Sequence, residues 1–243
     1  MAGLKGDARL PRYQRLAETL RQEVVGRRWK PGDRLPSEND IAEIYGVAPG
    51  TARQALAQLV TDGLLERAHG RGTFVRRPSF DSSLFRFFRF WGPDGVRSVP
   101  ESRILRRVVA SPPKVVARAL QIPDDSDAIN MSRLRLIGGA PVVAEEIWLP
   151  MHRLGKFLEV EEQDIGPLLY PVYDRVCGEI VARAEEALTV ECVAPETARL
   201  LRIEVGAPVI VIERLARGYD DAPLEWRRSR GAADRFHYHT EIR

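Results

Sequence analysis

Two cysteines in 243 residues, Cys177 and Cys192, are too few and too widely spaced for a disulfide framework or a zinc cluster, and both are expected as reduced thiols. Histidine is nearly as scarce, at four. Three of these, His152, His237 and His239, fall in the C-terminal part, where no Ser/His/Asp spacing and no metal-binding pair emerges. The expectation is a protein that is not an enzyme and carries no cofactor and no metal. No apolar run approaches the length of a membrane span, and Met1 to Asp7 lack an apolar signal core, so a cytoplasmic protein is expected. Lysine is rare as well, four against 33 arginines. A GC-rich genome produces that bias, and it carries no mechanistic weight.

At 44% hydrophobic residues the chain can bury a real core, and its length suits two ordinary domains. The net charge of +3 is unevenly spread. Up to Pro78 there are fourteen Lys and Arg against nine Asp and Glu, a balance of +5, whereas the rest has 23 against 25, or −2. Such asymmetry suits a polyanion-binding module at the N-terminus, because phosphate neutralisation supplies most non-specific affinity for DNA.

Leu16, Leu20, Val24 and Val25 recur at helical spacing, which predicts a helix over Tyr13–Val25 that Gly26 stops. Pro31-Gly32 sets a tight connection, and Ser37 stands as the N-cap of a helix running through Ile41, Ala42 and Ile44 to Gly46. A second short helix is predicted from Pro49 to Asp62, with Ala52, Leu56, Leu59 and Val60 facing inward. Two short helices about a glycine turn have the spacing of a helix-turn-helix. After Gly63, Leu64–Arg67 and Thr73–Arg76 read as two strands about the tip His69-Gly70-Arg71-Gly72, a wing suited to a minor groove.

The run Pro31–Glu38 (PGDRLPSE), Ile41-Ala42, Tyr45-Gly46-Val47, Thr51–Leu56, Gly63-Leu64-Leu65 and Gly70–Val75 resembles the DNA-binding domain of the GntR superfamily across Tyr13 to Pro78. The resemblance implies that Arg34 contacts phosphate and that Arg53 lies on the recognition helix in the major groove, where bidentate arginine reads guanine. The plain alternative for either is a surface salt bridge. Ser37, Glu38, Thr51, Gln54, His69, Arg71 and Thr73 complete the candidate DNA-binding set. The chain departs from the family at Ala48-Pro49-Gly50, where a Ser-Arg pair is usual; Pro49 suits a first helical turn, but one base-reading arginine is missing.

The expected organisation is a winged helix-turn-helix domain at 9–77, a linker at 78–98 and an effector domain at 99–243. In the linker, Leu84–Trp91 alternates arginine with aromatics, and residues 80–90 hold five of the eight phenylalanines. Such a run either stacks on single-stranded nucleic acid or docks its rings on the second domain. Beyond it, strands are expected from Ser102, over Ala128–Leu136 and Pro141–Leu149 about Gly138-Gly139, and over Ile180–Val190, Val209–Tyr219 and Leu224–Arg230. Helices are expected over Pro113–Leu120, near Gly166–Val176 and over Pro195–Leu201. The fold class is α+β with a mostly antiparallel sheet. A repeat underlies it: Ala117-Arg118, Leu120, Ile122, Ile129 and Arg133-Leu134 recur 81 residues later as Ala198-Arg199, Leu201, Ile203, Ile210 and Arg214-Leu215.

Arg133 and Arg135, two apart on a strand, share a face and repel one another unless an anion lies between them. Glu145 comes nearly opposite Arg133, so a purely structural ion pair is the alternative reading. Arg133–Leu136, Gly139-x-Pro141, Glu145, Leu149-Pro150 and Asp234-Arg235-Phe236 resemble the UTRA effector domain of the HutC subfamily, which has the chorismate lyase fold. The resemblance implies a small-molecule pocket in which Arg133 and Arg135 hold an anionic group and over which the 80–91 stretch closes. Ligands in that subfamily include amino-sugar phosphates, urocanate and fatty acids, but the stretch here lacks the Ser/Thr-bearing form of the sugar-phosphate sensors. Candidate effector residues are Phe85, Arg86, Arg133, Arg135, Glu145, Tyr170, Glu225 and Arg230. The reading is a repressor that binds double-stranded operator DNA as a homodimer and responds to a small anionic carboxylate or phosphate. A regulator acting through a protein partner, and a lyase-like enzyme, are the alternatives.

Overall fold

The computed structural model describes residues 4, 9–76 and 100–235. The stretch containing Phe85 and Arg86, and Phe236 of the tail, lie outside the described residues. The chain divides into two compact units, the first within Met1–Pro78 together with Tyr219–Asp221, the second within Ser79–Gly218 together with Ala222–Arg243.

In the first unit α1 (Arg12–Val25) is followed by α2 (Glu38–Tyr45), α3 (Pro49–Thr61) and a two-stranded wing, β1 (Leu65–Ala68) with β2 (Gly72–Val75). The helices form where the apolar spacing demands. Leu16, Leu20 and Val24 of α1, Ile41 and Tyr45 of α2, and Ala52, Leu56 and Leu59 of α3 are all buried. Ser37 caps α2 through a capping box: its hydroxyl accepts from the Asp40 amide, while the Asp40 carboxylate accepts from the Ser37 amide. Those hydrogen bonds from Ser37 hold the Asp40 carboxyl below its usual range. Gly46, left-handed at φ 63°, ends α2 and starts the turn. α3 has no side-chain cap on Ala48; Pro49 instead occupies its first turn, where the missing N–H costs nothing.

The second unit holds a six-stranded antiparallel sheet in the order β3-β4-β5-β8-β7-β6. Its elements are β3 (Glu101–Ala110), α4 (Lys114–Leu120), β4 (Ala128–Ile137), β5 (Ala140–Pro150), α5 (Met151–Leu154), α6 (Tyr170–Val172), β6 (Val181–Cys192), α7 (Pro195–Leu201), β7 (Pro208–Gly218) and β8 (Pro223–Ala232). The repeat is visible in this order. β3-α4-β4-β5 and β6-α7-β7-β8 are two copies of one unit, joined where β5 pairs with β8. The β4–β5 hairpin turns on Gly138 and Gly139, both at positive φ (54° and 76°), the backbone a two-residue turn between twisted strands requires.

Both faces of the sheet are covered. α4 packs on one face against Ala128, Trp148 and Trp226, and α7 packs near Leu134, Ala144 and Val211. The other face carries Met131, Ile147, Leu149 and Ala216 beneath Phe157, Leu169 and Tyr173. One expectation needs correction, and one strand is irregular. The helix expected near Gly166–Val176 begins only at Tyr170, because Pro171 lacks the N–H that an earlier start needs, and it continues as a π-turn through Tyr173–Cys177. β3 does not alternate strictly: a bulge between Ile104 and Arg106 shifts the pairing, so that Ile104 lies across from Arg133 and Arg107 from Met131.

Candidate functional site

The first candidate surface is built around Glu38, on the first turn of α2. Its carboxylate accepts from Arg53 of α3 at 2.8 Å and from Arg67 of β1 at 3.2 Å, tying the second helix of the motif to the wing. Arg53 is held without being covered, its side chain 70% exposed. Gln54 is exposed beside it and Thr51 is half-buried. Glu38 thus acts on its two arginines as a positioning group. The Ser37 hydroxyl, which accepts from the Asp40 amide and donates to the Asp40 carboxylate at 2.7 Å, is likewise committed within the helix cap.

Arg34 lies outside α2, in the extended stretch that pairs with the wing. Leu35 N–H donates to the Thr73 carbonyl, and Arg34 bridges Phe74. Its guanidinium crosses Gly72 so closely that a Cβ there would stand 2.9 Å from Nε, and Gly72 has φ +116° besides. The wing tip presents His69 and Arg71, both exposed, with the Arg71 guanidinium 5.9 Å from the Phe74 ring centre; Thr73 is half-buried. The sequence reading missed Arg67, which sits across β1–β2 from Thr73. Strand periodicity gave no signal for it, since Arg67 stands two residues from the buried Leu65 and so nominally on the same face.

The second candidate site lies on the sheet face beneath Tyr170 and Tyr173. Arg133 pairs in register with Glu145, Glu145 with Ser229, and Arg214 with Arg227, so these side chains share one face. Arg133 Nε donates to Glu145 Oε2, both side chains at 2% exposure or less. Glu145 Oε1 accepts from Arg227 at 3.3 Å and from Ser229 at 3.4 Å. Glu225 accepts from Arg227 at 2.7 Å, Tyr173 at 2.7 Å and Tyr170 at 3.2 Å. Arg214 donates from Nε to Glu186 at 2.6 Å and to the Tyr170 hydroxyl at 3.3 Å. Arg135 donates to the Pro167 carbonyl at 2.7 Å.

This network leaves Arg227 Nε without an acceptor among the described residues, and its larger gap is at Arg133 and Arg135. Nη1 and Nη2 of Arg133 and Nη2 of Arg135 are buried and have no hydrogen-bond partner among the described residues. A buried donor without an acceptor costs about 1–3 kcal/mol, more when charged, so three on neighbouring guanidiniums need an explanation. The electrostatics agree. Burial would raise the Glu145 carboxyl, but Arg133, Arg227 and Arg135 override it and hold the group well below the usual carboxylate range. Burial pushes the Arg135 guanidinium down to about 10; Glu145 opposes this, and Arg133 and Arg227 add to it. Arg135 therefore stays cationic at neutral pH in surroundings that disfavour its charge. Burial and the Glu225 charge push the Tyr173 hydroxyl well up, so it remains a donor.

Of the candidate effector residues, Arg133, Arg135, Glu145, Tyr170 and Glu225 converge. Arg230 does not: it pairs with Ala144, on the opposite face, and its Nε donates to Glu191 at 2.6 Å. Arg227, Arg214, Glu186, Tyr173 and Ser229 were missed, although Glu225, Arg227 and Ser229 stand at period two on one strand.

The family described as bacterial regulatory proteins, gntR family, matches residues 12–75, and the UTRA domain family matches residues 96–237. The chain is 29% identical to the HTH-type transcriptional repressor NagR of Bacillus subtilis over 93% of each protein. It is 32% identical to the HTH-type transcriptional regulator SmoD of Agrobacterium fabrum over 89% of each. A solved structure named as the ligand-binding domain of a GntR-family transcriptional regulator from Bordetella bronchiseptica superposes with a TM-score of 0.54 at 28% identity, covering 59% of this chain and 89% of that one. No helix among the described residues is long and apolar enough to cross a membrane.

Proposed function

The chain belongs to the gntR family of bacterial regulatory proteins and carries a UTRA domain, and from that premise we propose a cytoplasmic repressor that binds a palindromic operator as a homodimer and is controlled by a small anionic metabolite. It is a DNA-binding transcription regulator; its relatives NagR and SmoD are regulators too, one named a repressor. The organisation is a DNA-binding domain at 9–77, a linker at 78–98 and an effector domain at 99–243. The observation that carries the DNA-binding reading is the exposed Arg53 held by Glu38 on the helix beside the wing. Arg53 and Gln54 supply base-edge donors and acceptors, Arg34 a phosphate contact, and His69 and Arg71 the minor-groove contact, with Thr51 and Thr73 beside them. Ser37 and Glu38 serve this surface indirectly, through the helix cap and through the two arginines.

The effector reading rests on the unpartnered guanidinium nitrogens of Arg133 and Arg135, and the Bordetella domain's ligand-binding description agrees with it. An effector that releases operator must bind the released state more tightly than the DNA-competent one. Fluorescence anisotropy with duplex DNA from upstream of the gene tests the proposal: a defined site is expected to compete far better than scrambled duplex. Equal competition by the two would refute a sequence-specific repressor.

A further inference from the structure

The wing turns one face toward the helices. β1 and β2 pair Leu65 with Val75 and Arg67 with Thr73, so these residues share a face. Leu65 and Val75 are fully buried at its inner end. Glu66 and Phe74, with Arg34 across from Phe74, take the opposite face. Toward the tip, the inward face carries Arg67 in place of an apolar residue. There Arg67 Nη2 donates to Glu38 Oε1 at 3.2 Å, while Arg53 Nε donates to Glu38 Oε2 at 2.8 Å. Arg67 therefore stands in the notch between the helix of Arg53 and the wing. Its side chain is half exposed, and its Nε and Nη1 have no partner among the described residues. One carboxylate is shared by two guanidiniums, so these three side chains keep a net positive charge. Arg53 is the one charged residue of α3, which leaves the wing side of the notch to supply any second cation.

We propose that Arg67 is a phosphate-contacting residue at the boundary between two grooves. The proposal rests on the reading that puts Arg53 in a major groove and the wing in the adjacent minor groove. Adjacent grooves of one duplex are divided by a sugar-phosphate strand, so a protein that fills both must straddle that strand. The part of this protein that does so is the notch where Glu38 ties Arg53 to Arg67. A phosphate there finds Nε and Nη1 of Arg67 as donors, and a planar guanidinium suits it. A bare carboxylate at the same place would repel the phosphate; Glu38 is neutralised by the arginines it holds. Glu38 is thus a positioning residue that sorts the pair: the terminal nitrogens of Arg53 remain for a base edge, and Arg67 serves the backbone.

The test is fluorescence anisotropy of the full chain on the upstream duplex and on a scrambled duplex of equal length, across a series of salt concentrations. Each neutralised phosphate contributes about 0.9 to the slope of log affinity against log salt. Arg67→Met should bind both duplexes more weakly than wild type, and that deficit should shrink about 3.5-fold between about 50 mM and about 200 mM salt. The ratio of upstream to scrambled affinity should stay at the wild-type value. Arg67→Lys keeps a point charge for the phosphate and should keep the wild-type slope. If Arg67→Lys flattens the slope as much as Arg67→Met, the loss comes from a damaged wing and the contact is overturned. A wild-type slope in Arg67→Met with a reduced preference for the upstream duplex overturns it too, and makes Arg67 a support for Arg53 alone. Arg71→Met, at the wing tip, separates this proposal from the reading beneath it. If Arg71→Met flattens the slope and Arg67→Met does not, the wing meets DNA and Arg67 does not; if neither does, the groove placement of the wing falls as well.

Discussion

Arg135→Met should stabilise the ligand-free protein while abolishing its response to anions. The substitution removes from the interior a cation with a hydrogen bond to Pro167 and one orphaned nitrogen. The effective penalty for burying such an ion is several kcal/mol when partners do not compensate it, and here Arg133 and Arg227 repel it while Glu145 alone attracts it. Against that gain stands the Pro167 carbonyl, which loses its donor at a cost of about 1–3 kcal/mol. Methionine has comparable length and the flexibility to fill the vacated space. The first quantity is the larger, and the net is a gain of about 1–3 kcal/mol. For a chain of this size 1 kcal/mol moves the thermal midpoint by about 2–4 °C, so the variant should melt about 2–12 °C higher. Calorimetry in a buffer of low anion content reads the shift. A midpoint lowered by several degrees would refute the reasoning, since it would mean that Arg135 is compensated in the empty protein.

Four further outcomes follow from the same geometry. Glu145→Gln removes the carboxylate shared by Arg133 and Arg227 and should cost about 3–5 kcal/mol in urea denaturation, the range for breaking a buried pair from one side. Because the folded protein holds the Glu145 carboxyl below its unfolded value, its charge stabilises the fold above the ordinary carboxylate range and that contribution fades as pH falls through and below it; the acid limb of a stability profile should therefore be shallower in Glu145→Gln than in wild type. Arg53→Ala should lose about 1–3 kcal/mol of discrimination between operator and mutated operator, whereas Arg34→Ala should weaken all duplexes alike and flatten the salt slope by about one ion; anisotropy at several salt concentrations separates the two. Gly72→Ala forces a Cβ to 2.9 Å from the Arg34 guanidinium on a backbone at φ +116°, and loss of wing-tip amide protection in hydrogen exchange should reveal the displaced wing.

The parts of the fold that could be read in the sequence were those with a local cause. Ser37 and Gly46 bracket α2 through a cap and a left-handed turn, and Gly138-Gly139 makes the β4–β5 hairpin. That hairpin in turn sets Glu145 opposite Arg133. The 81-residue repeat agrees with this, α7 on Pro195–Leu201 standing in the second half where α4 stands in the first. The remainder depended on which face of a strand is covered. In Trp226-Arg227-Arg228-Ser229-Arg230 three arginines look alike, yet Arg227 is buried against Glu145 and Glu225, while Arg228 and Arg230 reach Glu191 on the other side. Periodicity separates the two sets of residues but not their fates, since both faces of this sheet are packed. The bulge in β3 and the broken helix about Pro171 are set by tertiary pairing and by one imino nitrogen, neither of which an apolar pattern records.

The repeat also explains how a packed sheet comes to contain the proposed effector site. In the second half, Arg214 stands where Arg133 stands in the first, 81 residues on, and its charge is answered by Glu186 on the adjoining β6 strand. The residue two further along is Ala216, fully buried among apolar neighbours. The second half is thus a closed, neutralised version of the arrangement. In the first half the corresponding position on β3 is Ile104–Leu105, at the bulge, which offers no carboxylate, and the position of Ala216 is taken by Arg135. One half lost an acid and gained a base relative to the other, and the difference accumulates on one patch of one face. A stabilising substitution such as Arg135→Met would restore the symmetry, so the instability of that patch in the empty protein is the driving force available to a ligand. Grafting the second half's solution onto the first, with a carboxylate at Ile104 (I104E), should accordingly mimic bound anion: the variant should melt higher, and a small carboxylate such as acetate should no longer raise its thermal midpoint. If it melts higher yet still responds to acetate, the unpaired nitrogens of Arg133 and Arg135 are not the site.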